Sequence, residues 1–148
     1  MLIEADTTVQ ADATRQADTA FDLQLGREWL LTNGRGGFSS GTLPGIPTRR
    51  YHGLLVASAR PPLERWMLLS AVLERVGTGE RYWETPGFEF EGAFHPHGFE
   101  QQTDFAVNLS SPLPWVRWTY HWGHLRLTKC LYVPTGFDEI AIVYRLEG

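Results

Sequence analysis

The stretch that most limits what this chain can become lies between two prolines, Pro114 and Pro134. It reads Trp115-Val116-Arg117-Trp118-Thr119-Tyr120-His121-Trp122, then Gly123-His124, then Leu125-Arg126-Leu127-Thr128-Lys129-Cys130-Leu131-Tyr132-Val133. Two runs rich in aromatic and β-branched residues on either side of a short turn signal predict an antiparallel hairpin. In the second run Leu125, Leu127, Lys129, Leu131 and Val133 alternate with Arg126, Thr128, Cys130 and Tyr132, so the first set shares one face. Lys129 on that apolar face predicts a buried or snorkelling salt bridge.

The rest of the chain repeats the theme of short runs between turn residues. Trp29-Leu30-Leu31 reads as a short strand, followed by a loop over 32–47 punctuated by Gly34, Gly36, Gly37, Gly41, Pro44, Gly45 and Pro47. Residues 50–59 read as a strand that Pro61-Pro62 ends, because proline lacks a donor and restricts the residue before it. Residues 65–76 are ambiguous: Leu69, Val72, Leu73 and Val76 fit a helical stripe, whereas Met67, Leu69, Ala71 and Leu73 fit a strand face. The hairpin-like turn that follows, around Gly77-Thr78-Gly79-Glu80, favours strand. Phe88, Phe90 and Phe94 alternate with Glu89 and Glu91 as in a half-exposed strand, and 101–108 and 139–146 are further candidates. Seven to nine short strands without a helix predict an all-β fold, a two-layer antiparallel β-sandwich over 21–148. Residues 1–20, rich in Ala, Thr, Asp and Gln, predict a disordered leader.

Composition excludes several classes of function. The net charge is −4, and most of it falls in residues 1–20. No basic patch is present for nucleic acid or an anionic membrane. Cys130 is the single cysteine, which rules out a disulfide framework and a cysteine metal site. The N-terminus lacks the basic and apolar regions of a signal peptide, and no apolar run reaches the ~18–20 residues of a membrane span. The expectation is a cytoplasmic protein. Six Trp, eight Phe and five Tyr suit both a packed core and platforms on which sugars stack.

The densest polar chemistry lies in 33–57, which runs from Asn33-Gly34-Arg35-Gly36-Gly37 to Thr48-Arg49-Arg50-Tyr51-His52-Gly53-Leu54-Leu55-Val56-Ala57. Asn33-Gly34 is a strong turn signal. The glycines are not followed by Gly-Lys-Ser/Thr, or by a helix and an acidic partner, so a nucleotide loop is excluded. If 50–59 is one strand, Arg50 and His52 share a face with Leu54 and Val56, while Arg49 and Tyr51 share the other. An inward Arg50 then needs a carboxylate or carbonyl partner. Only about six residues tether the loop to the cluster, which predicts that 33–42 and 49–52 meet on one side of the sandwich. The candidate substrate-side or inter-domain residues are therefore Asn33, Arg35, Arg49, Arg50, Tyr51 and His52. His95-Pro96-His97 and His121-Trp122-Gly123-His124 have no Asp, Glu or Cys completing a ligand set, so no metal is expected. Glu80, Glu84, Glu89 and Glu91 read as solvated surface rather than as the paired carboxyl groups of a glycosidase. No residue is assigned a catalytic role, and no cofactor is expected.

An ordered set of segments resembles the N-terminal domain of the bacterial and archaeal type of glycogen debranching enzyme, the amylo-alpha-1,6-glucosidase family. The segments are Glu28-Trp29-Leu30, Asn33-Gly34-Arg35-Gly36-Gly37-Phe38, Ser40-Gly41-Thr42, Thr48-Arg49-Arg50-Tyr51-His52-Gly53-Leu54-Leu55-Val56-Ala57, Leu68-Leu69-Ser70, His97-Gly98-Phe99, Pro114-Trp115 and Leu127-Thr128-Lys129. The resemblance runs from about Gly26 to the end. It implies a super-sandwich-like domain whose catalytic carboxylates lie in a downstream (α/α) barrel, so this chain is expected to be C-terminally truncated and non-catalytic. It further implies a domain that shapes an α-glucan site, with glycogen or a maltooligosaccharide and the barrel as partners. A free-standing carbohydrate-binding module and a structural interaction domain without a glycan role are the alternatives.

Overall fold

The computed structural model describes residues 22, 24–61 and 63–148. The leader expected over 1–20 lies outside the described residues. Within them the chain forms twelve strands: β1 (Glu28–Thr32), β2 (Phe38–Thr42), β3 (Gly53–Arg60), β4 (Glu64–Leu69), β5 (Glu74–Thr78), β6 (Arg81–Thr85), β7 (Phe88–Phe90), β8 (Ala93–His95), β9 (Gln102–Asn108), β10 (Trp115–Trp122), β11 (Leu125–Tyr132) and β12 (Ala141–Glu147). Among the described residues, helical structure is confined to Asp22, Gln24 and Leu25 and to a 3-10 turn at Gly98–Gln101. The fold is all-β, and every strand pair is antiparallel.

Two four-stranded sheets, ordered β1-β2-β3-β4 and β12-β11-β10-β9, dominate, and two hairpins, β5-β6 and β7-β8, accompany them. The hairpin at 115–133 forms as its alternation predicts, with Trp115 opposite Tyr132 and Trp122 opposite Leu125. Gly123 turns it with φ 61°, a conformation that costs glycine little. Residues 65–76 do not form a helix. They are split between β4 and β5 with an irregular link, and the 76–82 signal becomes the β5-β6 turn, where Thr78 pairs with Arg81.

The two large sheets share one buried cluster. Trp29 and Leu31 from β1 meet Val116, Trp118 and Tyr120 from β10 and Leu127 and Leu131 from β11. Trp29 packs edge-on against Trp118, with ring centroids 5.6 Å apart. Both indole N–H groups are satisfied by the segment that leaves β2: Trp29 Nε1 donates to Thr42 O at 3.0 Å and Trp118 Nε1 donates to Leu43 O at 2.9 Å. The second of these bonds crosses from one sheet's strand to the other sheet's connecting segment. Trp83 of β6 closes the cluster, edge-on to Tyr120 at 5.4 Å.

Lys129 sits on the inward face of β11, 5% exposed, and its ammonium pairs with Glu74 Oε1 at 2.6 Å. That is the salt bridge the alternation requires. Glu74 opens β5, and its carboxylate also accepts from the Tyr144 hydroxyl at 2.6 Å and from the Thr85 hydroxyl. One buried carboxylate thus ties the β5-β6 hairpin to β11 and β12. Removing one partner of a buried pair leaves an uncompensated charge, whereas replacing both by apolar groups does not. Glu74→Ala is therefore expected to lower unfolding free energy by about 3–5 kcal/mol. Adding Lys129→Met in the same chain should recover much of the loss. Urea unfolding of the two variants checks this, and a double variant as unstable as the single one would contradict it.

Candidate functional site

The β1-β2 hairpin decides where the polar residues of 33–52 end up. Ser39, Ser40 and Thr42 are buried, and residues 38–42 form β2 rather than the middle of a loop, pairing with β1 from Thr32↔Phe38 to Glu28↔Thr42. Five extended residues at ~3.3 Å each carry the chain away from the turn. The six candidate residues therefore fall into two groups at opposite ends of this hairpin, and the expectation that 33–42 and 49–52 meet as a unit does not hold. Only the β2 end approaches the cluster, through Ser40 Oγ donating to Tyr51 O at 3.3 Å.

At the turn end, Asn33 is 1% exposed and every polar atom it has is in use. Its Oδ1 accepts from the N–H groups of Arg35 (2.9 Å) and Gly37 (3.0 Å). Its Nδ2 donates to Phe137 O (3.0 Å) and Asp138 Oδ1 (2.7 Å). Its backbone N–H donates to Gly37 O and its carbonyl accepts from Gly136 N–H. Gly37 cannot be replaced without collision, since a Cβ there would stand 2.6 Å from Asn33 Nδ2. Arg35 leans the same way and donates to Gly136 O at 3.3 Å. This end pins the first sheet's turn to the segment that leads into β12.

At the other end, β3 begins at Gly53, so residues 50–52 are not strand and the shared face expected for Arg50 and His52 does not form. The reason is local. The His52 N–H donates to Arg49 O, closing a turn, and the imidazole Nδ1 accepts from the N–H groups of Thr48 (3.2 Å) and Arg49 (3.3 Å). The ring therefore replaces strand pairing as the acceptor for these donors. His52 is buried, whereas Arg49, Arg50 and Tyr51 project outward. Arg50 has no ion-pair partner among the described residues, so the pairing expected for an inward Arg50 is not needed. Its neighbour Arg49 pairs with Glu28.

Glu28 was not among the candidates. It faces Thr42 across the hairpin, a pairing invisible while 38–42 reads as loop. The Arg49 guanidinium holds its carboxyl below the usual carboxylate range, and Glu28 in turn raises Arg49. His52 Nε2 stands 3.6 Å from Glu28 Oε1, beyond hydrogen-bond length. Burial keeps the imidazole below its ordinary pKa of 6.5, with Glu28 opposing the shift. With Nδ1 accepting two bonds, the ring is neutral and its proton is on Nε2. Beneath His52 lies a cavity of about 30 Å³, lined also by Ser40, Trp118, Tyr120 and Lys129, enough for a water molecule.

No group of three or more His, Cys, Asp or Glu among the described residues could hold a metal ion. No helix among them is long and apolar enough to cross a membrane. What the 48–52 turn offers is an exposed set of cationic and aromatic groups, Arg49, Arg50 and Tyr51, on a rigid base made by buried His52.

A family model described as the N-terminal domain of glycogen debranching enzyme matches residues 27–148. No curated protein and no solved structure matches the chain.

The His52 geometry sets a pH dependence. The folded chain resists a proton that the unfolded chain accepts near pH 6.5, so the stability contributed by neutral His52 is present above that pH and lost as pH falls below it. The melting temperature is expected to drop as pH decreases through about 6.5, and His52→Gln should flatten that limb. An imidazole that titrates above 6.5 in the folded protein by NMR would show the sign to be wrong.

Proposed function

The chain belongs to the glycogen debranching enzyme N-terminal family, and from that premise we propose that it is the non-catalytic β domain of an α-glucan-debranching glycosidase. In this reading it packs against a helical barrel that supplies the catalytic carboxylates, and the 48–52 turn faces the glucan. The observation that carries the docking is β4. It is an edge strand, and Trp66, Met67 and Leu68 along it are all exposed, as are Leu63 before it and Leu73 after it. Leu63 is 91% exposed and Trp66 58%. A concentrated apolar strand with an open edge is the kind of surface that another domain covers.

Three carboxylates near the core and the 48–52 turn are engaged within the chain. Glu28, Glu74 and Glu84 are held by Arg49, Lys129 and Arg75, whereas glycoside hydrolysis uses a carboxyl pair poised across the scissile bond.

Two outcomes test the reading. The purified chain should release no glucose from a limit dextrin above a buffer control. In the whole enzyme, Trp66→Ser with Leu68→Ser should abolish stable packing of the barrel and lower activity, while the same pair leaves the melting temperature of the lone chain within a few degrees. Unchanged activity in that variant would exclude docking through β4.

Arg50→Ala separates the role of the turn from that of the docking surface. Arg50 is exposed and has no ion-pair partner among the described residues, so the substitution is expected to change stability by less than about 0.5 kcal/mol. Activity of the whole enzyme on branched glucan should nevertheless fall. Full activity with Arg50→Ala would remove the turn from the substrate side.

A further inference from the structure

A second concave surface lies away from the 48–52 turn. A groove of about 260 Å³ opens between β6, the 3-10 turn at Gly98–Gln101 and the last residue of β10. Tyr82 and Glu84 of β6 line one side, Glu100 and Gln101 of the 3-10 turn line the other, and Trp122 adds a second aromatic group. We propose that this groove is a binding site for a neutral pyranose unit of an α-glucan chain. The choice of α-glucan among neutral sugars rests on the function proposed above.

The groove is built rather than incidental. Arg75 stacks over one face of the Tyr82 ring, 4.2 Å from its centroid, and its Nε and Nη2 both donate to Glu84 Oε1, at 2.9 and 2.7 Å. One guanidinium thus orients an aromatic platform and a carboxylate at the same time. Because both bonds fall on Oε1, Glu84 Oε2 keeps its acceptor capacity. Across the groove His97 Nδ1 lies 3.3 Å from a Glu100 oxygen, and the Gln101 amide supplies a donor and an acceptor. Trp83 also lines the groove, and although it is only 8% exposed its Nε1 has no hydrogen-bond partner among the described residues.

This combination selects a class of ligand. A pyranose presents an apolar C–H face, which suits an aromatic ring, and an equatorial rim of hydroxyls, which suits carboxylate and amide groups. Two carboxylates in the lining, Glu84 and Glu100, with Arg75 already committed to Glu84, repel phosphorylated sugars and nucleotides. The volume is below the ~300–1,000 Å³ of sites for drug-sized ligands, in keeping with one sugar unit of a chain that continues into solvent. Tyr82 is 46% exposed, so it can be removed without opening the core.

The test is calorimetric titration of the chain with maltoheptaose, for the native sequence, Tyr82→Ala and Gln101→Ala. The expected result is saturable binding by the native chain, weakened at least tenfold in each variant, with melting temperatures unchanged. Gln101→Ala acts from the opposite wall and guards against a loss caused by misfolding of the β5-β6 hairpin. Absence of saturable binding by the native chain at tens of millimolar maltoheptaose overturns the proposal, and so does binding that both variants retain. Neither result touches the docking reading, which stands or falls on the β4 variant in the whole enzyme. Conversely, a β4 variant with full activity leaves maltoheptaose binding in this groove as expected.

Discussion

The two large sheets share no strand-to-strand hydrogen bonds, so their relationship depends on what crosses between them. The central crossing is the contact of Trp29 with Trp118, together with the bond from the Trp118 indole N–H to the Leu43 carbonyl. A buried N–H without a partner costs about 1–3 kcal/mol, which makes the position of Leu43 a condition on the core rather than a detail of a loop. Gln102 Nε2 donates to the same carbonyl at 3.2 Å, so side chains of β9 and β10 converge on one backbone oxygen just past β2. Gly41 is part of the same arrangement, since a Cβ there would stand 3.2 Å from the Trp29 ring. The segment that leaves β2 is thereby fixed, and with it the start of the path to the 48–52 turn.

The buried ion pair adds a second crossing of a different kind. Lys129 lies 5.5 Å from the Trp118 ring centroid and reaches Glu74 on a strand outside both large sheets. Hydrophobic contact is non-directional and would let the β5-β6 hairpin slide along β11 and β12. A charge-assisted bond shared by Lys129, Tyr144 and Thr85 does not. Position of this hairpin matters because its outer face carries Tyr82 and Glu84, which form one side of the groove proposed to bind sugar.

Much of this was legible in the sequence. The β10-β11 hairpin could be read with its register because alternation, turn and bounding prolines agree, and Lys129, standing on an apolar face, announced the need for a salt bridge, though not that Glu74 would supply it. β2 could not be read. Phe38-Ser39-Ser40-Gly41-Thr42 has weak strand propensity and belongs to a strand because Trp29 packs on Gly41 and because Ser39 Oγ donates to Leu54 O. Both are tertiary effects. The same gap hid Glu28 and misplaced Asn33 and Arg35 relative to Arg49. The turn at 49–52 was misread as strand for a related reason: its apolar neighbours suggest continuation, and only the His52 ring, accepting from the Thr48 and Arg49 N–H groups, shows why it stops.

The two ends of the β1-β2 hairpin can be compared by asking where each polar group finds its partner. Around Asn33 the accounting closes within the chain: side-chain oxygen, side-chain nitrogen, backbone N–H and carbonyl are all matched. Such a residue has nothing left to offer a ligand without first breaking the fold, and its role is to fix the turn against the 136–138 segment. Around His52 the accounting does not close: Nδ1 serves two backbone donors, but the buried Nε2 has no hydrogen-bond partner among the described residues. Outside, Arg49 shares one carboxylate, Arg50 shares none among the described residues, and Tyr51 is 56% exposed. Exposed guanidinium groups lose little by waiting in water, and they keep their forked donors for a partner that arrives later. A buried anchor beneath exposed groups lets the turn hold its shape while Arg50 and Tyr51 remain available to bind. The candidate residues of 33–52 thus divide by where their partners lie: Asn33 and Arg35 are bonded to the 136–138 segment, and Arg50 and Tyr51 are presented outward.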